Sequence, residues 1–236
     1  MTAFKFIEDQ VQIRSSLLCR ASADRRMRDV NTVIIGCGGI GSALARVLPG
    51  PLILAGRNAA ALHSLASETN AYSVPLDVTR ELEVQAFVQE VAAQGGTKLL
   101  VYAVGDIVTG NLTDLSVNAL ERNWGANVLG AQLILKHLAP TLEPEARLYF
   151  LGAQAKLIEF KGFSAYAASK AALETLCRVA GKELKCTVTV VKPPAVASAF
   201  WQRLEQPAPR GAIAPAAVAA AILESLSREA VSELVI

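Results

Sequence analysis

Tyr166 and Lys170, in Tyr166-Ala-Ala-Ser-Lys170, are four residues apart and share one face of a helix, where an ammonium group can act on a phenol. Such a pair can move a proton. A free phenol titrates near ~10 and is a poor acid-base catalyst at neutral pH, whereas a neighbouring cation favours the phenolate and brings it toward the working range. The same spacing also decorates solvated helix faces, so its meaning depends on the elements that position it.

The first of those elements is a strand, a glycine-rich turn and a helix in succession. Asn31-Thr-Val-Ile-Ile-Gly36 reads as a buried strand, Gly36-Cys-Gly38-Gly39-Ile40-Gly41 as a glycine-rich turn, and Ile40, Leu44, Val47 and Leu48 as the stripe of a helix. In this arrangement Gly36 permits the tight turn, Gly38 lets the backbone approach a pyrophosphate, and Gly41 lets helix and strand pack closely. The helix N-terminus offers its free amides to the anion.

The rest of the chain repeats the pattern. Further strands are predicted at Pro51–Ala55, Ala71–Val74, Leu99–Val104, Arg147–Leu151, Thr187–Val191 and Glu233–Ile236, with helical stripes between them. One long helix is expected over Asp114–His137 and another near Pro215–Leu226. Alternating strands and helices predict an α/β fold, a doubly wound parallel sheet of about seven strands covered on both faces.

With 236 residues, residues 31–236 are enough for one domain with a large core. Although 52% of the chain is hydrophobic, it contains no long uncharged apolar run, so no membrane span is expected. A net charge of +2 from scattered basic residues argues against nucleic acid. Cys19, Cys37, Cys177 and Cys186 lack metal-ligand spacing, and only His63 and His137 could join them. No metal or disulfide framework is expected, and a reducing, cytoplasmic setting fits best. Residues 1–30 form an N-terminal arm, read as flexible or as upstream of a start at Met27; its arginines and serines faintly suggest organelle targeting, against which stand Glu8, Asp9, Asp24 and Asp29.

Over residues 31–236 the chain resembles the short-chain dehydrogenase/reductase family, whose fold is Rossmann-type. Its glycine loop is one residue shorter than the family's usual form. The resemblance implies an adenine contact at Asp77-Val78, and Ala103-Val104-Gly105 stands where the family often has Asn-Ala-Gly. It further implies that Asn127 belongs to a proton relay with Tyr166 and Lys170, that the lysine also binds the nicotinamide ribose, and that Pro193, Val196 and Ser198 approach the nicotinamide. Gly36, Gly38, Gly39, Ile40 and Gly41 would hold the pyrophosphate.

Where the family usually has a serine that holds the substrate oxygen, this chain has Ala153, followed by Gln154. Gln154 or Tyr102 is a candidate replacement donor. Phe200 and Trp201 fall where the family places its substrate lid, which implies an apolar ligand. The second strand ends Ala55-Gly56-Arg57, with a guanidinium and no carboxylate, which predicts NADP(H) rather than NAD(H). The expected activity interconverts a carbonyl and an alcohol; the alternative is a nucleotide-binding protein with little catalysis that acts through partners. A homodimer or homotetramer is expected through helices near 114–137 and 164–184, where Ala167, Ala168, Ala171 and Ala172 permit close approach.

Overall fold

The computed structural model describes residues 30–184 and 186–236. The expected arm, with Met27, lies outside the described residues except for Val30. Seven strands form a single sheet in the order β3-β2-β1-β4-β5-β6-β7, every neighbouring pair parallel. They are β1 (Val30–Ile35), β2 (Leu52–Gly56), β3 (Tyr72–Pro75), β4 (Gly96–Tyr102), β5 (Leu142–Leu151), β6 (Thr187–Lys192) and β7 (Glu233–Val235).

The principal helices are α1 (Gly39–Val47), α2 (Ala59–Thr69), α3 (Glu81–Ala93), α4 (Val117–Trp124), α5 (Gly130–Leu138), α6 (Ser164–Glu183) and α7 (Pro215–Ser225). Because side chains alternate along a strand, Val33 and Ile35 join one apolar cluster while Ile34 joins the other. The first cluster is capped by Phe87 of α3, Ile134 of α5 and Leu173 of α6, the second by Leu44 of α1, Leu62 of α2 and Ile222 of α7. Both faces of the sheet are therefore dry, and its central strands need apolar residues at consecutive positions.

Three expected elements differ in extent or continuity, the first being the fourth strand, which runs over Gly96–Tyr102 and not Leu99–Val104. The fifth strand starts at Leu142, not Arg147, and its pairing with β4 shifts register between Thr97 and Leu99. Pro144 lacks a backbone donor and Glu145 has a left-handed φ of 63°, so this stretch reads as a turn although it continues the strand. The helix expected over 114–137 begins only at Val117, where Ser116 Oγ accepts from the Ala119 amide at 3.3 Å. Asp114 lies outside that helix and accepts from Asn111 and Thr113. Between α4 and α5 a π turn spans Gly125–Leu129 and carries Asn127.

The strand order reverses between β1 and β4. The carboxyl ends of these strands diverge there and leave a crevice, the position at which doubly wound sheets bind ligands.

Candidate active site

A cleft of about 1410 Å³ opens at that reversal, lined by the glycine loop, the ends of β2 and β4, α6, and the segment after β6. Gly36 has φ +95°, and a Cβ there would lie 2.6 Å from the Val104 nitrogen. At Gly41 a Cβ would come within 2.1 Å of Gly36 O. Both positions exclude a side chain, as the loop's sequence implied. Gly38 has nothing within 4 Å of its absent Cβ, so its backbone is open to a ligand.

Ser42 Oγ donates to Cys37 O at 2.8 Å and closes the loop, while no side chain caps the N-terminus of α1. This cradle suits a pyrophosphate. Burial pushes the Cys37 thiol up to about 12, which keeps it neutral beside that anion site.

Arg57 is exposed and follows β2 immediately; Asn58 Oδ1 accepts from the Ala61 amide and starts α2. Beside it, just past β3, Asp77 accepts from the Thr79 amide and hydroxyl at 3.0 and 2.7 Å. Desolvation works to raise its pKa, but the Thr79 bonds and the charges of Arg57 and Arg80 outweigh it and hold the carboxyl below its ordinary range. Val78 also lines the cleft, though its side chain is buried and packs against Gly130, where a Cβ would lie 2.5 Å from it.

The alanine-rich helix α6 brings Tyr166 and Lys170 together as the spacing predicted, with Lys170 Nζ 5.7 Å from the Tyr166 ring centroid. Lys170 Nζ donates to Leu151 O at 2.7 Å. Desolvation lowers the lysine from 10.5 to about 8. Tyr166 departs from expectation: burial moves its phenol upward, not toward the phenolate. The physical reason is its enclosure, since Tyr166 is 8% exposed, Phe163 lies 6.5 Å away and Phe200 6.1 Å away between ring centroids.

Asn127 is fully buried, and its side chain is committed to protein partners. Nδ2 donates to Asp106 O and Ser169 Oγ, each at 2.9 Å, while Oδ1 accepts from the Asp106 amide at 2.9 Å. Ser169 Oγ in turn donates to Tyr166 O at 2.8 Å. Asn127 is thus joined to the backbone of the tyrosine and not to its hydroxyl.

Neither expected replacement donor is available. Tyr102 is fully buried, stacks on Phe150 on the α3/α5/α6 side of the sheet, and donates to Ala126 O at 2.6 Å. Gln154 does line the cleft, but its Nε2 donates to Lys192 O at 3.3 Å and Ile236 O at 3.0 Å. The failure lies in register and tertiary contact, which residue type does not report. Ala153 lines the cleft together with Leu157, Ile158, Phe160 and Phe163.

Ala103, Val104 and Gly105 form the wall after β4, and Pro193, Val196 and Ser198 the wall after β6. Ser198 packs on the glycine loop, where a Cβ on Gly39 would meet its Cβ at 2.6 Å. A short 3-10 helix, Ala199–Leu204, then roofs the cleft with Phe200 and Trp201. Sequence reasoning missed Asp106, Arg122 and Arg203, which meet in this region. Among the described residues no three His, Cys, Asp or Glu side chains gather as metal ligands, and no helix is long and apolar enough to cross a membrane.

Known proteins share this architecture. The chain is 38% identical to a short-chain oxidoreductase of Thermus thermophilus, over 83% of this chain and 95% of that one, with a TM-score of 0.77. It is 29% identical to an uncharacterized oxidoreductase of Staphylococcus aureus, covering 86% of this chain and 93% of that protein. A chloroplastic NADPH-dependent aldehyde reductase-like protein of Arabidopsis thaliana is 32% identical over 55% of each chain. Structures of this fold are known with NAD and with NADP bound. The short chain dehydrogenase model matches residues 30–208, and the chain belongs to that family of nicotinamide-dependent oxidoreductases.

Proposed function

We propose that the protein is an NADP(H)-dependent oxidoreductase that interconverts a carbonyl and an alcohol on a small apolar substrate. The observation that carries this reading is the convergence of Tyr166 and Lys170 on the cleft that the glycine loop opens. A bound nicotinamide would supply or accept the hydride. Tyr166 exchanges the proton with the substrate oxygen, and Lys170 orients the ribose and supplies positive charge when the phenolate forms. The upward shift of Tyr166 suits a proton donor in the reductive direction. Asn127 holds this floor through Ser169 and Asp106.

Arg57 supports NADP(H): an exposed guanidinium beside the N-terminus of α2 is placed to receive a 2'-phosphate, and no carboxylate competes for the ribose hydroxyl at the end of β2. Gly36 to Gly41 receive the pyrophosphate, Asp77 and Val78 the adenine, and Ala103 to Gly105 with Pro193, Val196 and Ser198 the nicotinamide half. Leu157, Ile158, Phe160, Phe163, Phe200 and Trp201 favour an apolar substrate. Ala153 stands in for the family's serine, which leaves Tyr166 as the principal hydroxyl on the substrate oxygen.

The domain spans 31–236 and works in the cytoplasm as a homodimer or homotetramer. Exposed Val117, Leu120 and Trp124 on α4 and Val179 on α6 support self-association. Light scattering is expected to give a multiple of 24.9 kDa at micromolar concentration; a monomer mass removes this part of the proposal.

The function is tested by following NADPH consumption with apolar aldehydes, ketones and quinones. Turnover on at least one, with NADPH bound more tightly than NADH, is the expected result. Cofactor binding without turnover on any of them would favour the binding-protein alternative.

A further inference from the structure

Arg203 ties the roof to the wall after β4. Arg203 Nη1 donates to Gly105 O at 2.9 Å and to Asp106 Oδ1 at 2.8 Å, and its guanidinium carbon stands 6.0 Å from the Phe200 ring centroid. Phe200 in turn faces Tyr166. Gly105 lies between the roof and the floor, since a Cβ there would be in ordinary contact with Lys170 Nζ at 3.6 Å and Phe200 Cε2 at 3.8 Å.

The receiving end is built independently of the roof. Asp106 is 4% exposed, and its Oδ2 accepts from Arg122 Nε of α4 at 2.6 Å. Its carbonyl accepts from Asn123 and Asn127, both at 2.9 Å, and its amide donates to Asn127.

We propose that Asp106 is a positioning residue, the fixed half of a latch on which Arg203 closes the roof and sets Phe200 against Tyr166. The proposal rests on reading the cleft as an oxidoreductase site. A carboxylate suits the role because a charge-assisted bond to a nearly buried anion is strong and weakly screened by salt. Arg122 and Asn127 hold Asp106 in place before Arg203 arrives, so closing the latch need order only the roof. The Arg203 side chain is 43% exposed and can return to water, which makes the latch reversible. Opening admits substrate; closing shields the phenol from water. Loss of the latch therefore weakens substrate capture and leaves proton transfer at saturation largely intact.

Trp201, one of the chain's two tryptophans, sits in the roof and donates to Val196 O at 2.9 Å. In a Trp124→Phe background, acrylamide quenching of Trp201 reads roof exposure without any turnover. Arg203→Gln is expected to raise the quenching constant about twofold, with Asp106→Asn and Arg203→Lys at or below that level, and the double variant to match Arg203→Gln because Asp106 acts on the roof through Arg203. With a carbonyl substrate that is turned over, Arg203→Gln should raise KM about tenfold and change kcat less than about threefold.

Unchanged quenching in Arg203→Gln, additive effects in the double variant, or a fall in kcat at constant KM would overturn the latch. If Asp106→Asn fails to fold, the two Arg203 variants decide alone. If no carbonyl is reduced, the quenching still settles the latch, so its failure is distinct from failure of the proposed function.

Discussion

The floor and the roof of the cleft are held by different forces. Asn127, Ser169, Tyr166 and Lys170 stand on or between long helices, each is at most 8% exposed, and hydrogen bonds link the first three through to the tyrosine backbone. The roof, Ala199–Leu204, contains no buried residue and is fastened by an ion pair, aromatic edges and the Trp201 bond to Val196 O. Chemistry needs side chains fixed to within a fraction of an ångström, whereas substrate entry needs an element that opens. Damage to the floor should therefore appear in kcat, and damage to the roof in KM.

The largest expected effect is at the floor. Tyr166→Phe removes the transferable proton and should lower kcat about 100- to 10,000-fold while NADPH affinity stays within about twofold, as read by rapid-mixing turnover and fluorescence titration. A loss confined to KM would erase the distinction between the two regions.

Lys170→Met sharpens it through pH. Because the folded lysine titrates near 8 and not at 10.5, its desolvation costs stability in full below about pH 8, and that cost fades as pH rises toward 10.5, where the unfolded chain also loses the proton. The stability of wild type relative to Lys170→Met should thus rise between pH 8 and 10.5, a sign that paired melting curves check. In wild type, kcat/KM for carbonyl reduction should fall above about pH 8 as the lysine loses its charge.

Ala153→Ser tests the gap beside the tyrosine. With Tyr102 and Gln154 committed elsewhere, a new hydroxyl facing the substrate oxygen should raise kcat about tenfold. A neutral result would mean that another donor already serves that oxygen. The smallest effect is expected from Arg57→Ala, which should weaken NADPH about fivefold and leave NADH binding unchanged in parallel titrations.

Much of the floor could be read from sequence because its geometry is local. Four residues of helix bring Lys170 onto the face of Tyr166, and close packing dictates the glycines at 36 and 41. The strands and their parallel setting were legible from the apolar runs, since a parallel sheet buried on both faces leaves that signature, whereas the runs carry no record of which strands lie side by side. The start of β5 was hidden by Pro144 and Glu145. The π turn at Gly125–Leu129 was hidden because the apolar stripe continues into α5. The roof was the least legible part. Phe200 and Trp201 mark it, but the Asp106 to Arg203 pair spans 97 residues, and nothing in either local segment points to the other. The commitments of Tyr102 and Gln154 were equally invisible, because they depend on partners in the π turn and at the end of the sheet.

Deuterium transfer tests the central claim most directly. Wild type and Tyr166→Phe are incubated with NADPH deuterated at the transferable position and an apolar ketone, and the alcohol is examined by mass spectrometry. Wild type should place deuterium on the carbinol carbon, and Tyr166→Phe should form almost no labelled alcohol although it binds the cofactor. Equal labelling by the two proteins, or none from wild type with cofactor bound across the range of carbonyls, would contradict the account.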